Sequence, residues 1–262
     1  MQSADDFLQA FHSTHPGATD EAFGSGTVEG GLSSYELLAR FIAEAADGEP
    51  VMDLACGDGA LAARILAQPN PPAVVVAVDP SAAELKKAKR RIRRQAVFHR
   101  CAAQDLPSPS AEFAAVGCHM ALMLLDPVEE AIAQVARVLV PGGAFGVIVP
   151  SGEHLSPLYK RYIALLREHT VDRPRLGDPR TRSEAGLREL LEAFDRVEIG
   201  EHTLSMRGTT EALWEQTLST SYDVFALPEE ARAAVRAGVL ASGEQELSMG
   251  LRFVRAWTAP QG

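Results

Sequence analysis

The sequence predicts an α/β protein with a doubly wound, mostly parallel, seven-stranded sheet. Short apolar runs alternate with helical stripes between Pro50 and Pro150, a rhythm typical of parallel strands joined by helices. A glycine-rich turn follows the first run, as at the ligand-binding edge of such sheets. Near the C-terminus, residues 247–253 alternate apolar and polar side chains, which predicts a strand that completes the sheet.

The region before the core predicts helices and a loop. Residues 3–12 predict a short helix, and residues 13–31, rich in Gly, Ser and Thr, predict a mobile arm or lid. A helix with an apolar stripe from Leu38 to Ala45 follows, and Gly48 ends it.

The core elements follow in turn. The pattern predicts strands at 50–54, 73–79, 96–99, 113–118 and 144–149, and helices at 59–67, 81–94 and 128–139. Pro141, Gly142 and Gly143 predict a turn before the strand at 144–149. Beyond Pro150 the pattern predicts helices at 155–169, 183–193, 209–218 and 228–241, with strands at 196–206 and 247–253.

Composition excludes several classes of protein. The formal charge of -10 over 262 residues disfavours nucleic acid as a partner. No run of 18 apolar residues and no basic, apolar leader is present, so we expect neither a membrane span nor export. The cysteines Cys56, Cys101 and Cys118 lack metal-type spacing, which favours a reducing, cytoplasmic setting and predicts no metal site. We expect a monomer or a homodimer.

The turn at 51–59 carries the strongest chemical signal. Gly57 and Gly59 allow close approach of a ligand to the backbone, and Asp53 lies at the preceding strand end. Asp79 ends the next apolar strand, where an acid can accept hydrogen bonds from both ribose hydroxyls of a nucleoside. A dinucleotide site would carry a third glycine where this chain has Ala62. Carboxylates beside the turn would repel a pyrophosphate but suit an ammonium or a sulfonium.

Five segments resemble, in order and spacing, the successive motifs of class I S-adenosylmethionine-dependent methyltransferases. They are V-M-D-L-A-C-G-D-G at 51–59, V-V-V-A-V-D-P-S at 74–81, A-A-Q-D-L-P at 102–107, F-A-A-V-G-C-H-M-A-L at 113–122 and A-R-V-L-V-P-G-G-A-F at 136–145. The resemblance implies the Rossmann-like methyltransferase fold. It also implies S-adenosyl-L-methionine as cofactor and S-adenosyl-L-homocysteine as product. By the same resemblance, residues 1–48 form an arm or lid, 49–150 the cofactor-binding core, and 151–262 the acceptor-side helices and the last strand pair.

The resemblance also implies a set of cofactor-binding residues in the turn and at the next strand end. Asp53 and Gly57 would face the methionine portion, with Ala55 and Gly59 in the same turn. Asp79 would hold the ribose, and Pro80 would pack near the adenine.

The adenine contact departs from the family pattern. Relatives often carry an acid where this chain has Ala102. Ala103, with Gln104 or Asp105, is therefore the expected substitute. Cys118 would offer its backbone carbonyl to the methionine ammonium.

Three further residues have two readings each. Tyr35 resembles a lid tyrosine that reaches the cofactor carboxylate, or it is a core aromatic. Arg40 pairs with that carboxylate, or it is a solvated cation. His119 is the candidate general base for an acceptor that loses a proton, or it packs against the cofactor.

The acceptor is predicted only by class. We expect methyl transfer to an O, N or C atom of a small molecule, in specialised metabolism by analogy. His12 and His15 could touch it beneath the lid. Four aromatic residues after position 150 could line its pocket, namely Tyr159, Tyr162, Trp214 and Tyr222. The alternatives are a nicotinamide-dependent oxidoreductase and a non-catalytic, cofactor-binding regulatory protein. The basic run 86–94 predicts a solvated helix face.

Overall fold

The computed structural model describes residues 3–93, 95–169 and 174–261. Its strands are β1 (Val51–Leu54), β2 (Val75–Val78), β3 (Val97–His99), β4 (Phe113–His119), β5 (Leu139–Pro150), β6 (Arg196–Arg207) and β7 (Glu246–Trp257). They form one seven-stranded sheet in the order β3-β2-β1-β4-β5-β7-β6. Pairing is parallel from β3 to β5, and β7 is antiparallel to both of its neighbours. The predicted fold class is confirmed.

Helices cover both faces of the sheet. They are α1 (Ala4–Thr14), α2 (Ala18–Phe23), α3 (Ser34–Ala46), α4 (Ala60–Leu66), α5 (Ala82–Ile92), α6 (Val128–Val138), α7 (Pro157–Glu168), α8 (Glu184–Leu190), α9 (Thr210–Leu213), α10 (Tyr222–Ala226) and α11 (Glu229–Leu240). Short 3₁₀ turns occur at Leu122–Leu124 and Pro179–Arg182, and a π-helical turn occurs at Trp214–Leu218. No helix in the described part of the chain is long and apolar enough to cross a membrane.

Alternation along the strands separates two apolar layers. Val51 and Val75 belong to one cluster with α3, α4, α7 and α11, whereas Met52 and Val76 belong to another with α6 and α8. Successive side chains of a strand point to opposite faces, so both faces of the sheet are buried. This burial explains why the core strands read as continuous apolar runs.

The structure differs from the sequence prediction in four elements. The segment 13–31, expected as a mobile arm, contains α2, and α10 was not predicted. The strand expected at 144–149 begins earlier, at Leu139. The pairing register between β4 and β5 shifts between Phe113 and Ala115, so residues 140–143 stay within the strand instead of forming a separate turn. The helix expected at 81–94 ends at Ile92, and Arg94 lies outside the described residues.

Candidate active site

A cavity of about 410 Å³ lies at the carboxyl ends of β1, β2 and β4. This is the edge at which open parallel sheets bind ligands. The turn after β1, the turn after β2 and the segment after β4 form its floor, and α1 with the turn before α2 forms one wall. The volume is in the range of small-molecule sites.

The turn after β1 is built from left-handed residues. Ala55, Gly57 and Gly59 have φ values of 53°, 51° and 79°, and Ala55 adopts this conformation without being glycine, a strain typical of functional turns. A Cβ added to Gly57 would find Glu84 Oε2 as its nearest neighbour, at 3.8 Å, so the cavity leaves room beside this backbone. A Cβ at Gly59 would lie 2.7 Å from Ile92 Cδ1, so Gly59 serves helix packing instead.

Asp53 forms the deepest part of the floor. Its Oδ2 accepts a hydrogen bond of 2.9 Å from the backbone N–H of Ala62, in the first turn of α4. Burial raises the pKa of Asp53 to about 8, against that hydrogen bond, and the neighbouring Asp79 and Asp58 contribute in the same direction. A buried carboxyl without a paired cation favours its neutral form. A cationic ligand would therefore restore the charge of Asp53.

Asp79 clamps two turns together. Its Oδ2 accepts a hydrogen bond from Gly57 N at 2.9 Å, and its Oδ1 accepts one from Ser81 N at 2.8 Å. Burial raises the pKa of Asp79, against these two backbone hydrogen bonds. Asp53 and Asp79 thus lie on the same side of the fold and line one cavity, as the sequence predicted.

Tyr35 stands in the middle of a three-layer stack. The ring of His119 lies against one face with centroids 3.6 Å apart, and the Arg64 guanidinium lies 4.6 Å from the Tyr35 centroid. Stacking and cation–π contacts of this kind hold an aromatic ring in one position. Tyr35 lines the cavity, which combines both readings of this residue, since it is buried and also faces the candidate site.

His119 is enclosed. Its Nε2 is hydrogen-bonded to Ser34 Oγ at 2.9 Å, and its Nδ1 is buried without a hydrogen-bond partner. Burial, with a smaller contribution from Arg64, lowers the pKa of His119 to about 3. The imidazole is therefore neutral at pH 7 and a weak base, with Nδ1 buried and Nε2 engaged by Ser34.

The structure brings nine of the thirteen predicted site residues together. The cavity is lined by Tyr35, Asp53, Ala55, Gly57, Asp79, Pro80, Ala103, Gln104 and His119. The other four do not line it. Arg40 and Asp105 are exposed on the surface, Gly59 packs against α5, and Cys118 is fully buried within β4. Of the four aromatic residues proposed for the acceptor pocket, Tyr222 alone lines the cavity.

Sequence reasoning missed most of the wall formed by α1. The wall residues are Asp5, Leu8, Gln9 and His12, and Glu84 of α5 faces them. Their spacing of i, i+3, i+4 and i+7 is one helix face, so the signal was present. This helix face was overlooked because it mixes polar and apolar residues, whereas a buried helix face is usually recognised by an apolar stripe.

The basic helix face is also more than a solvated surface. Lys87 and Arg91 pair with Glu21 and Asp20 of α2 at 2.8 Å each. Arg91 also donates a hydrogen bond to Asp58. Burial raises the pKa of Asp58 to about 6, although the charge of Arg91 acts in the opposite direction. Among the described residues, no group of three or more His, Cys, Asp or Glu is placed to hold a metal.

Comparison with known proteins agrees with this geometry. Residues 51–143 match the family described as methyltransferase domain. The chain is 29% identical over 162 residues to the ubiquinone/menaquinone biosynthesis C-methyltransferase UbiE of Erwinia tasmaniensis, covering 60% of this chain and 63% of that protein. The match thus spans less than two thirds of that relative's length.

Solved structures show the same fold. Phosphoethanolamine N-methyltransferase 2 of Haemonchus contortus, in complex with phosphomonomethylethanolamine and S-adenosylhomocysteine, aligns with a TM-score of 0.60 at 19% identity, over 100% of this chain and 61% of that one. The [4+2]-cyclase SpnF aligns with a TM-score of 0.62 at 16% identity, over 99% and 98% of the two chains. The resemblance inferred from the motifs is confirmed over residues 51–143, the segment that matches the methyltransferase-domain family.

Proposed function

We propose that this protein is an S-adenosylmethionine-dependent methyltransferase that methylates an O, N or C atom of a small molecule. The observation that carries the proposal is the meeting of Asp53 and Asp79 in one cavity, on either side of the open backbone at Gly57. The domain match at 51–143 supports it.

The cavity fits S-adenosylmethionine. The carboxyl of Asp53 and the backbone of Ala55 and Gly57 would hold the methionine portion, and Asp79 would hold the ribose hydroxyls. Pro80, with the segment at Ala103 and Gln104, would border the adenine. When bound, the cofactor supplies a methyl group on a cationic sulfur with a good leaving group. The protein orients the reactants and excludes water, which can contribute roughly 7 to 11 kcal/mol to catalysis.

The charge of the cavity disfavours the nicotinamide alternative. Seven acidic residues line it, and no lysine or arginine does so among the described residues; the acids are Asp5, Asp20, Asp53, Asp58, Asp79, Glu84 and Asp126. Such a surface would repel the pyrophosphate of a dinucleotide. The same surface favours a neutral or cationic acceptor over an anionic one.

The enclosure of His119 favours the packing role over the general base. Neither ring nitrogen can meet an acceptor without a rearrangement of Ser34 or of the surrounding core. We infer that His119 fixes Tyr35 at the cavity wall, and that an acceptor requiring proton removal uses another group. Arg40, Gly59, Asp105 and Cys118 would serve the fold or the surface.

The remaining expectations stay proposals of the same kind. Residues 1–48, 49–150 and 151–262 would serve as arm, cofactor-binding core and acceptor side. The three cysteines are free, which is consistent with a cytoplasmic location. A monomer or homodimer without a nucleic-acid partner fits the net charge of -10.

Titration calorimetry tests the cofactor assignment. S-adenosylhomocysteine and S-adenosylmethionine should bind, and NAD should not. Mass spectrometry of a panel of small phenols, amines and carbon acids incubated with S-adenosylmethionine would then show the methylated class. Binding of NAD without S-adenosylhomocysteine would reject the proposal, and tight binding without product across the panel would favour the regulatory alternative.

A further inference from the structure

Residues 4–23, which contain α1 and α2 and are called the arm from here on, are attached to the core along one face of α5. Glu84, Lys87 and Arg91 are spaced i, i+3 and i+7 on that helix, so they share a face. Each of the three contacts the arm or the turn between α1 and α2. The arm in turn supplies one wall of the cavity.

Glu84 makes the central contact. Its Oε1 accepts a hydrogen bond of 2.9 Å from His12 Nδ1, with the ring in the Nδ1–H form, and its Oε2 accepts one of 2.9 Å from the backbone N–H of Gly17. Both carboxylate oxygens therefore bind the arm. In this tautomer, His12 Nε2 accepts a hydrogen bond of 3.1 Å from the hydroxyl group of Tyr222 in α10.

Burial distinguishes Glu84 from the other attachments. The side chain of Glu84 is 3% exposed, whereas those of Lys87 and Arg91 are 36% and 28% exposed. Exposed ion pairs contribute little because solvent screens them. Loss of a buried, charged hydrogen-bond acceptor is costly, since its donors remain without partners.

The opposite side of the arm is apolar. Phe11 contacts Tyr222 and Phe225 with centroid distances of 4.4 and 5.3 Å, and Phe7 contacts Phe225 at 5.6 Å. The arm is thus joined to α10 by aromatic packing and to α5 by polar contacts. The polar side is the one that borders the cavity.

We propose that Glu84 is a positioning residue that holds the arm closed over the cofactor cavity through His12 and Gly17. Release of Glu84 by the arm would open this wall of the cavity and let a bound ligand leave faster. Glu84 therefore sets how long the cofactor or its product stays bound. The inference rests on the proposed function in taking S-adenosylhomocysteine as the occupant.

Two measurements on the full chain test this role. Hydrogen exchange followed by mass spectrometry reports opening of residues 4–23 without ligand. Stopped-flow displacement reports the dissociation rate of S-adenosylhomocysteine. In Glu84→Ala we expect faster exchange in the arm, unchanged exchange in β1 and β2, and dissociation about ten- to a hundredfold faster, in line with a lost buried charged acceptor.

Two variants serve as controls. Glu84→Gln keeps an oxygen that can accept from Gly17 or His12, so it should restore part of the arm's protection and most of the residence time. Glu21→Ala removes an attachment to the same helix whose side chain is 60% exposed, and it should change dissociation by less than about twofold.

The results separate the two proposals. Unchanged arm exchange in Glu84→Ala would overturn the positioning role, whether or not dissociation changes, because Glu84 also lines the cavity. Faster exchange in β1 and β2 as well, in both Glu84 variants, would show a general structural role and would also overturn it. If the wild-type protein does not bind S-adenosylhomocysteine, the proposed function fails, and the exchange of ligand-free protein still decides whether Glu84 holds the arm.

Discussion

The floor and the arm-side wall of the cavity hold their acids in different ways. On the floor, the carboxylates of Asp53 and Asp79 accept hydrogen bonds from backbone amides of the surrounding turns. On the arm side, Asp20 accepts hydrogen bonds from the side chains of Arg64 and Arg91. Glu84, which faces the wall from α5, accepts one from the His12 side chain and one from the backbone N–H of Gly17 in the arm. Backbone amides are fixed by the sheet and its helices, whereas side-chain partners move with their own elements. We therefore expect the floor to recognise the ligand and the arm-side wall to open.

The largest expected loss of affinity comes from a substitution in the floor. Asp79→Asn removes the charge and keeps one of the two oxygens that accept backbone N–H groups, so one of the two turn hydrogen bonds, from Gly57 or Ser81, should persist. We expect affinity for S-adenosylhomocysteine to fall by about 1 to 3 kcal/mol, because charge-assisted hydrogen bonds to the ribose are lost. Calorimetry measures this loss. Asp105→Asn, an exposed acid outside the cavity, is the control and should bind as the wild type does.

A second prediction concerns Asp53 in the floor, where one substitution should raise the stability of the fold at neutral pH and lower the affinity for the ligand. The pKa of Asp53 is about 8 in the folded protein against an ordinary 3.8. The folded state thus holds a proton that the unfolded state has lost between those pH values. Stability contributed by this group is fully present below about pH 4 and is lost as pH rises toward 8.

Asp53→Asn cannot ionise, so its melting temperature should rise relative to wild type as pH increases from 5 to 8. Its affinity for S-adenosylhomocysteine should fall, because the ammonium loses a carboxylate partner. Thermal scans at several pH values, paired with calorimetry, test both signs. A melting-temperature difference independent of pH would show that Asp53 is ionised throughout.

The smallest expected effect on affinity concerns His119, which lies between the floor and the wall. His119→Ala removes the ring that stacks on Tyr35, and we expect affinity for S-adenosylhomocysteine to fall by about 0.5 to 1.5 kcal/mol, the strength of an aromatic pair. His119→Phe keeps a ring without nitrogens and should retain most of the affinity. Full affinity in both variants, together with lost turnover once an acceptor is known, would restore the general-base hypothesis.

The difference between floor and wall also explains what the sequence could reveal. The floor lies in contiguous segments, 51–59 and 74–81, whose glycines, acids and apolar runs carry their own geometry. The wall depends on contacts across 72 residues between His12 and Glu84, and 210 residues between His12 and Tyr222. Neither separation leaves a local pattern. The short helices α2 and α10 were missed for the same reason, since tertiary packing stabilises them more than propensity does.

Single residues show the same limit. Arg40 was a candidate because of its charge and its helix, yet the helix turns that position toward solvent. Gly59 belongs to the turn motif, and a Cβ there would lie 2.7 Å from Ile92 Cδ1, so its missing side chain makes room for α5. A motif thus predicts where a turn bends, and the packing of the neighbouring helix decides which of its residues face the cavity.

None of the seven strands includes any part of residues 4–23. We expect that cleavage of that segment by a protease would leave the strands of the sheet covalently intact, so that a far-ultraviolet circular dichroism spectrum could still report a folded protein. The cavity would nevertheless have lost His12 and the face of α1 that encloses it. A spectrum typical of a folded protein therefore does not show that the protein can bind its ligand. The intact mass of the protein should be measured before its affinity is interpreted.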